Sequence, residues 1–220
     1  RPYVDITIGC IRNFGGDVAE TEMSYTVKGG QQLEACDGMV EGDYSQAAFF
    51  KVANALGSNI EIKGLSEQSY QGDKAIMDIC DKVSTANGLE AFSLDCSDIP
   101  DLVPILTVLA CFCKGKSEIT NVARLRIKES DRVASMAEEL AKFGVTVTEG
   151  EDSTVIYPSD FHAPTDTLYG HNDHRIVMAA SVIRSVIGGS VCGAEAVNKS
   201  YPGFFRDIKR LGAEVEIFDS

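Results

Sequence analysis

The sequence predicts an α/β (α+β) chain of three related units stacked around one shared core. Three observations carry that prediction. One pattern recurs: an apolar helix, a glycine, a β-branched strand, a loop with a basic residue, an amphipathic helix, and a strand after a second glycine. The spacing recurs too: Asp101 to Asp173 is 72 residues, Lys128 to Lys199 is 71, and Gly72 to Gly88 equals Lys128 to Gly144 at 16. Finally, Asp101 to Cys113 and Ile176 to Ile187, apart from Arg184, are apolar nearly all round, which marks interior helices. Stacked repeats bury their apolar faces against one another.

A chain of 220 residues holds one or two compact domains. It begins at Arg1 and reads as a piece of a longer protein. The opening Tyr3 to Ile8 is strand-like, the segment as a whole a strand or a helix, followed by a Gly15-Gly16 turn and two strands ending at Gly29-Gly30. The first unit runs through a helix Ser45 to Leu56, Gly57, a strand Ile60 to Ile62, the Gly72-Asp73-Lys74 loop, a helix to about Thr85, and Gly88. The second runs through the helix Asp101 to Cys113, Gly115, a strand Ile119 to Val122, Lys128, an outer helix Glu129 to Phe143, Gly144, and a hairpin Val145 to Tyr157. The third has a helix Asp173 to Ile187, Gly189, a strand at Val191, Lys199, an outer helix Pro202 to Leu211, Gly212, and a strand Val215 to Phe218. Because the second unit ends in two strands and the third in one, a partner strand is expected from elsewhere in the longer protein. Pro104 is tolerated only in a first turn, which places Asp101 at or near an N-cap and Asp173 at the matching start.

Thirty-three acids against twenty bases give a net charge of -13, which argues against a nucleic-acid or anionic-membrane surface. The longest apolar runs are about half a bilayer span. Seven cysteines without a C-x-x-C pair suit reduced thiols in a cytoplasmic compartment. There is no G-x-x-x-x-G-K-[ST] loop and no metal-ligand spacing, so no cofactor and no metal are expected.

The bases that exist stand where a helix disfavours them. A helix N-terminus is partially positive, so each nearby cation costs about 0.3–1 kcal/mol. Arg124, Arg126, Lys128 and Arg132 nevertheless surround one start, His174 and Arg175 another, and Lys199 precedes a third. Singly, each set reads as a solvated helix entry whose neighbouring acids balance it. Jointly, at matched repeat positions, they predict one anion site where parallel interior helices begin. Asp101 and Glu129 fall at the same end, where a carboxylate among ammonium groups could relay protons.

Arg126-Ile-Lys-Glu-Ser-Asp-Arg132, Asn172-Asp-His-Arg175 and Lys199-Ser-Tyr-Pro-Gly-Phe-Phe205, with the opening Tyr3-Val-Asp-Ile-Thr and the Val40-Glu-Gly-Asp-Tyr-Ser45 turn, resemble the second half of the 5-enolpyruvylshikimate-3-phosphate synthase family. The resemblance implies one lobe of a two-lobe enolpyruvyl transferase fold made of repeated βαβαββ units, with residues 1–42 the tail of the N-terminal lobe and 43–220 the C-terminal lobe. It implies a strand from the chain's start to complete that lobe. It implies transfer of the enolpyruvyl group of phosphoenolpyruvate to the 5-hydroxyl of shikimate 3-phosphate, releasing phosphate, in a protein that is monomeric at full length. Arg132, Arg175 and Lys199 then match a phosphoenolpyruvate clamp. Asp101 and Lys128 match the groups that hold the 5-hydroxyl and move its proton, and Glu129 and Lys199 the groups that protonate the methylene carbon. Tyr3 stands beside the shikimate ring, and His174 adjoins the clamp. Arg124 departs from the familiar form, which has a polar amide there in contact with shikimate. Enolpyruvyl transfer to a UDP-sugar, and a non-catalytic anion-binding module, are the competing readings; the first would lack the Lys-Glu-Ser-Asp-Arg motif.

Overall fold

The computed structural model describes residues 1–158, 160–164 and 166–218. The opening segment is a helix, α1 (Pro2–Asn13), and not a strand. Pro2 sets its first turn, Asp5 lies in that turn, and Arg12 lies in the last, all favourable for the helix dipole. Period-two alternation over Tyr3 to Ile8 yields to these end signals, and β1, which packs against α1, pairs with β2 instead. The two following strands form as expected: β1 (Val18–Glu20) and β2 (Tyr25–Val27) make an antiparallel hairpin with Val18 opposite Val27.

In the first unit, α2 (Tyr44–Ala55) starts at Asp43, whose carboxylate accepts from Ser45 N at 2.8 Å and Gln46 N at 3.3 Å. A 3₁₀ turn (Gly72–Lys74) leads into α3 (Ala75–Val83) and the short pair β3 (Ser84–Thr85) and β4 (Gly88–Leu89). The second unit contributes β5 (Ser93–Asp95), a 3₁₀ turn over Pro100–Leu102, α4 (Val103–Cys111), β6 (Ser117–Thr120), a second 3₁₀ turn over Ala123–Ile127, α5 (Arg132–Ala141), β7 (Thr146–Glu149) and β8 (Ser153–Tyr157). Its sheet runs β5-β6-β8-β7, with β5 parallel to β6 and the other neighbours antiparallel. The third unit holds β9 (Leu168–Tyr169), α6 (His174–Ile187), β10 (Val191–Cys192) parallel to β9, a 3₁₀ turn over Ala194–Lys199, and α7 (Phe204–Arg210).

Three local expectations are corrected. The outer helix of the second unit begins at Arg132, not Glu129, because Asp131 caps it by accepting from Ala134 N at 3.0 Å. Asp101 does not cap α4; it lies inside the 3₁₀ turn, and its carboxylate faces basic side chains instead. Residues 60–62 and 215–218 join no ladder among the described residues. A strand exists only against a partner, and these two segments border grooves at the outer helix α7, along Phe50, Tyr201 and Leu211 on one side and Phe205 and Lys209 on the other.

The interior helices match the sequence reading. All nine residues of α4 are buried, and α6 is buried from His174 to Arg184. Leu106, Leu109, Ile176 and Met178 are fully shielded, with Phe49 of α2 in the same core. These helices begin at one end of the molecule: Arg175, in the first turn of α6, donates to the Asp101 carboxylate ahead of α4 at 3.0 Å and to Ser45 Oγ in the first turn of α2 at 3.1 Å. Cys111 and Cys113 donate their thiols to the carbonyls of Thr107 and Leu109. Among the described residues no helix is long and apolar enough to cross a membrane.

A candidate anion site at the helix starts

Arg132 is the hub of this end. Its Nε donates to Asp173 Oδ2 at 2.8 Å, Nη1 to Asp101 Oδ1 at 2.9 Å and Nη2 to Glu129 Oε2 at 2.7 Å. The guanidinium is 2% exposed and Asp173 is fully buried, so every fork has to be bonded. Asp173 also caps α6 through Arg175 N at 2.9 Å, and Ser130 Oγ reaches it at 3.2 Å. Asp101 is the second hub. Arg175 Nη2 and Arg132 Nη1 donate to its two oxygens, Tyr3 OH donates to it at 3.2 Å, and Lys128 Nζ stands 4.0 Å away. Asp43 in turn holds Ser45, accepting from its Oγ at 2.7 Å, so Ser45 is set to receive Arg175.

The electrostatics follow from these contacts. Burial alone would raise the Asp101 carboxyl, but Arg175, Arg132 and Lys128 together hold it below the usual carboxylate range. Asp173 is held low the same way, burial being outweighed by the bond from Arg132. Asp73, on the 3₁₀ turn before α3, lacks such a bond: burial and then the Asp101 charge push it up to about 7, and its Oδ1 has no hydrogen-bond partner. Burial, followed by Asp101 and Asp73, raises the Tyr3 phenol, which stays protonated. Burial and Arg175 lower His174, whose Nδ1 lies 3.8 Å from Asp173 Oδ1 without a hydrogen bond.

Of the residues singled out from the sequence, Asp101, Lys128, Glu129, Arg132, Arg175 and Tyr3 meet directly. Lys199 donates to Asn172, through the carbonyl oxygen and through Oδ1 at 2.9 Å, one residue before Asp173. His174 packs beside Asp173. Arg124 turns away and donates to the Ser97 carbonyl. Arg126 is taken by Asp131 at 3.1 Å and Glu149 at 2.9 Å. The resemblance matched Arg132 to a phosphoenolpyruvate clamp, and in this structure its donors are shared among three carboxylates. Lys128 and Lys199 are exposed to solvent.

Sequence reasoning missed Ser45, Asp43, Asn172 and Asp73, and read Asp173 only as a cap. The Asp43-Tyr44-Ser45 start is a legible capping signal, but which arginine it serves depends on contacts more than a hundred residues apart.

The family profile described as EPSP synthase (3-phosphoshikimate 1-carboxyvinyltransferase) matches residues 1–208. The chain belongs to the EPSP synthase family. It is 42% identical to the 3-phosphoshikimate 1-carboxyvinyltransferase of Clostridium acetobutylicum, over 97% of this chain and 53% of that protein. It is 38% identical to that of Methanocaldococcus jannaschii, over 99% of this chain and 54% of that protein. The chain thus spans about half the length of the curated relatives it matches. The solved EPSP synthase of Acinetobacter baumannii superposes with a TM-score of 0.81 at 24% identity, covering 95% of this chain and 54% of that one. The enolpyruvyl transferase NikO of Streptomyces tendae superposes at 0.74 with 15% identity, covering 98% of this chain and 54% of that one. At these identities the two structures establish the fold: a mixed helix-and-sheet lobe of enolpyruvyl transferase type.

Proposed function

We propose that this chain supplies one lobe of an enzyme that transfers the enolpyruvyl group of phosphoenolpyruvate to the 5-hydroxyl of shikimate 3-phosphate, releasing phosphate. The observation that carries the reading is the convergence of Arg132, Arg175 and Lys128 on Asp101 at the start of the interior helices, in a member of this family. Residues 1–42 form the tail of the first lobe and 43–220 the second, whose unpaired edge takes a strand from the rest of the enzyme. The enzyme acts as a cytoplasmic monomer without a cofactor.

In this reading Arg175, Arg132 and Lys199 hold the carboxylate and phosphate of phosphoenolpyruvate. Asp101, kept ionised by its arginines, accepts the proton of the 5-hydroxyl, which Lys128 also contacts. The hydroxyl oxygen bonds to C2 of phosphoenolpyruvate while Glu129 or Lys199 gives a proton to C3, producing a tetrahedral intermediate. Loss of a proton from C3 and departure of phosphate from C2 restore the double bond. Tyr3 flanks the shikimate ring and His174 orients Arg175, whereas Arg124, in the position the resemblance gives to a shikimate-contacting amide, would have to leave the Ser97 carbonyl to reach the substrate. Catalysis rests on positioning and fixed charge.

The test combines this chain with the first half of a family enzyme and measures phosphate release. Release is expected only with both halves and both substrates. Asp101→Ala should depress turnover with modest loss of binding, and Lys199→Ala should raise the KM for phosphoenolpyruvate more than that for shikimate 3-phosphate. Release that proceeds with one substrate, or with the chain alone, contradicts the proposal.

A further inference from the structure

Behind the anion site lies a second buried charge that the transfer chemistry does not use. Glu139, on the inner face of α5, is buried, and its two oxygens are fully engaged. Lys142 Nζ donates to Oε2 at 2.7 Å, Tyr169 N donates to the same oxygen at 2.9 Å, and His171 Nε2 lies 2.8 Å from Oε1. Glu138, Glu139 and His171 bring ligand atoms within 4.8 Å of one another, but with both Glu139 oxygens already met by protein donors the group fits a bonded hub and not a cation.

What the hub holds is a strained turn. His171 and Asn172 are consecutive non-glycine residues in the left-handed region, at φ 48° and 52°. Gly170 precedes them where a Cβ would come within 2.3 Å of Val177 Cγ2, so backbone must pass close to α6 there. The turn closes through Asp173 N to the Gly170 carbonyl at 2.8 Å, and Gly170 N to the Cys192 carbonyl at 2.9 Å ties it to β10. It delivers Asn172, whose two oxygens receive Lys199, and Asp173, which receives Arg132.

We propose that Glu139 and His171 are positioning residues for the phosphoenolpyruvate side of the site: they pin the left-handed turn through which Asn172 seats the Lys199 ammonium. The role in ligand binding rests on the function proposed above; the seating of Lys199 does not. Neither residue touches the substrate. Substitution there should loosen Lys199 while the rest of the core stays intact.

The experiment follows the chain, combined with the first half of a family enzyme, and three variants, Glu139→Gln, His171→Phe and His171→Asn, by amide hydrogen exchange, by the NMR signal of the Lys199 ammonium, and by titration with phosphoenolpyruvate. In Glu139→Gln and His171→Phe, exchange over 170–175 should quicken about 10-fold and phosphoenolpyruvate affinity should fall about 10-fold, with exchange in α4 unchanged. Asparagine enters the left-handed region readily, so His171→Asn should restore both towards the parent chain. Unchanged exchange in the turn overturns the proposal, as does a loosened turn that binds phosphoenolpyruvate as before. If the parent chain, combined with the first half of a family enzyme, does not bind phosphoenolpyruvate, the function reading is what fails. The Lys199 signal then decides the positioning claim: a shift in His171→Phe that returns in His171→Asn upholds it, and no shift refutes it.

Discussion

Arg132 holds three carboxylates from a position only 2% open to solvent, and this sets what its replacement should do. Removing one partner of a buried charge network costs about 3–5 kcal/mol, because the remaining charge is left dry and unpaired. Arg132→Met should therefore lower the free energy of unfolding, read from urea denaturation, by that order. Arg132→Lys should cost less, since an ammonium keeps the charge but cannot span the planar fork. An unchanged midpoint for both would show that Asp173 has other support. Asp73 carries a second prediction. Its folded pKa of about 7 lies above the unfolded value of 3.8, so below about pH 4 both states hold the proton and Asp73 is neutral to stability. As pH rises towards 7 the unfolded chain gives up the proton first, and stability falls by on the order of 4 kcal/mol at most. Asp73→Asn should remove this loss and raise Tm at pH 8 but not at pH 4. Asp101 and Asp173 act in the opposite sense. Their depressed pKa values stabilise above about pH 4, and that support is lost as acid protonates them. A Tm profile for Asp73→Asn parallel to the parent between pH 4 and 8 would contradict the assignment.

At the scale of elements, legibility tracked how local the determining physics is. The interior helices α4 and α6 were readable because an all-round apolar segment has one stable fate, burial at the centre. Leu106→Ala in α4, at a fully shielded position, should cost about 2–5 kcal/mol, measurable by chemical denaturation. A loss under 1 kcal/mol would mean that the core closes around the gap. The hairpin β7–β8 was also plain from its flanking glycines and alternating pattern. α1 was not, since its alternation and its helix-end signals pull apart, and the end signals decide between them. Residues 60–62 and 215–218 have strand composition, yet pairing is a property of two segments and not of one. α5 starts three residues after Glu129 because Asp131 caps it by accepting the Ala134 amide, while Glu129 faces Arg132, a division that only the geometry shows.

For the whole molecule, the matched spacing of cations pointed to one end of the interior helices, and Lys128, Arg132 and Arg175 do meet at Asp101 there. The spacing could not show how the charges are balanced there. Arg132 and Arg175 are already bound to acids, so under the proposed function an anionic substrate displaces protein carboxylates in part. Arg124 and Arg126, equally prominent in the sequence, are drawn to Ser97 and to Asp131 and Glu149, and the motif alone does not reveal that division. The most direct measurement is an NMR titration with phosphoenolpyruvate of the chain, combined with the first half of a family enzyme, repeated on Arg175→Met. The account predicts shifts confined to Asp101, 128–132, 172–175 and Lys199, and their loss in the variant. Shifts on another face, or an identical titration in Arg175→Met, would contradict it.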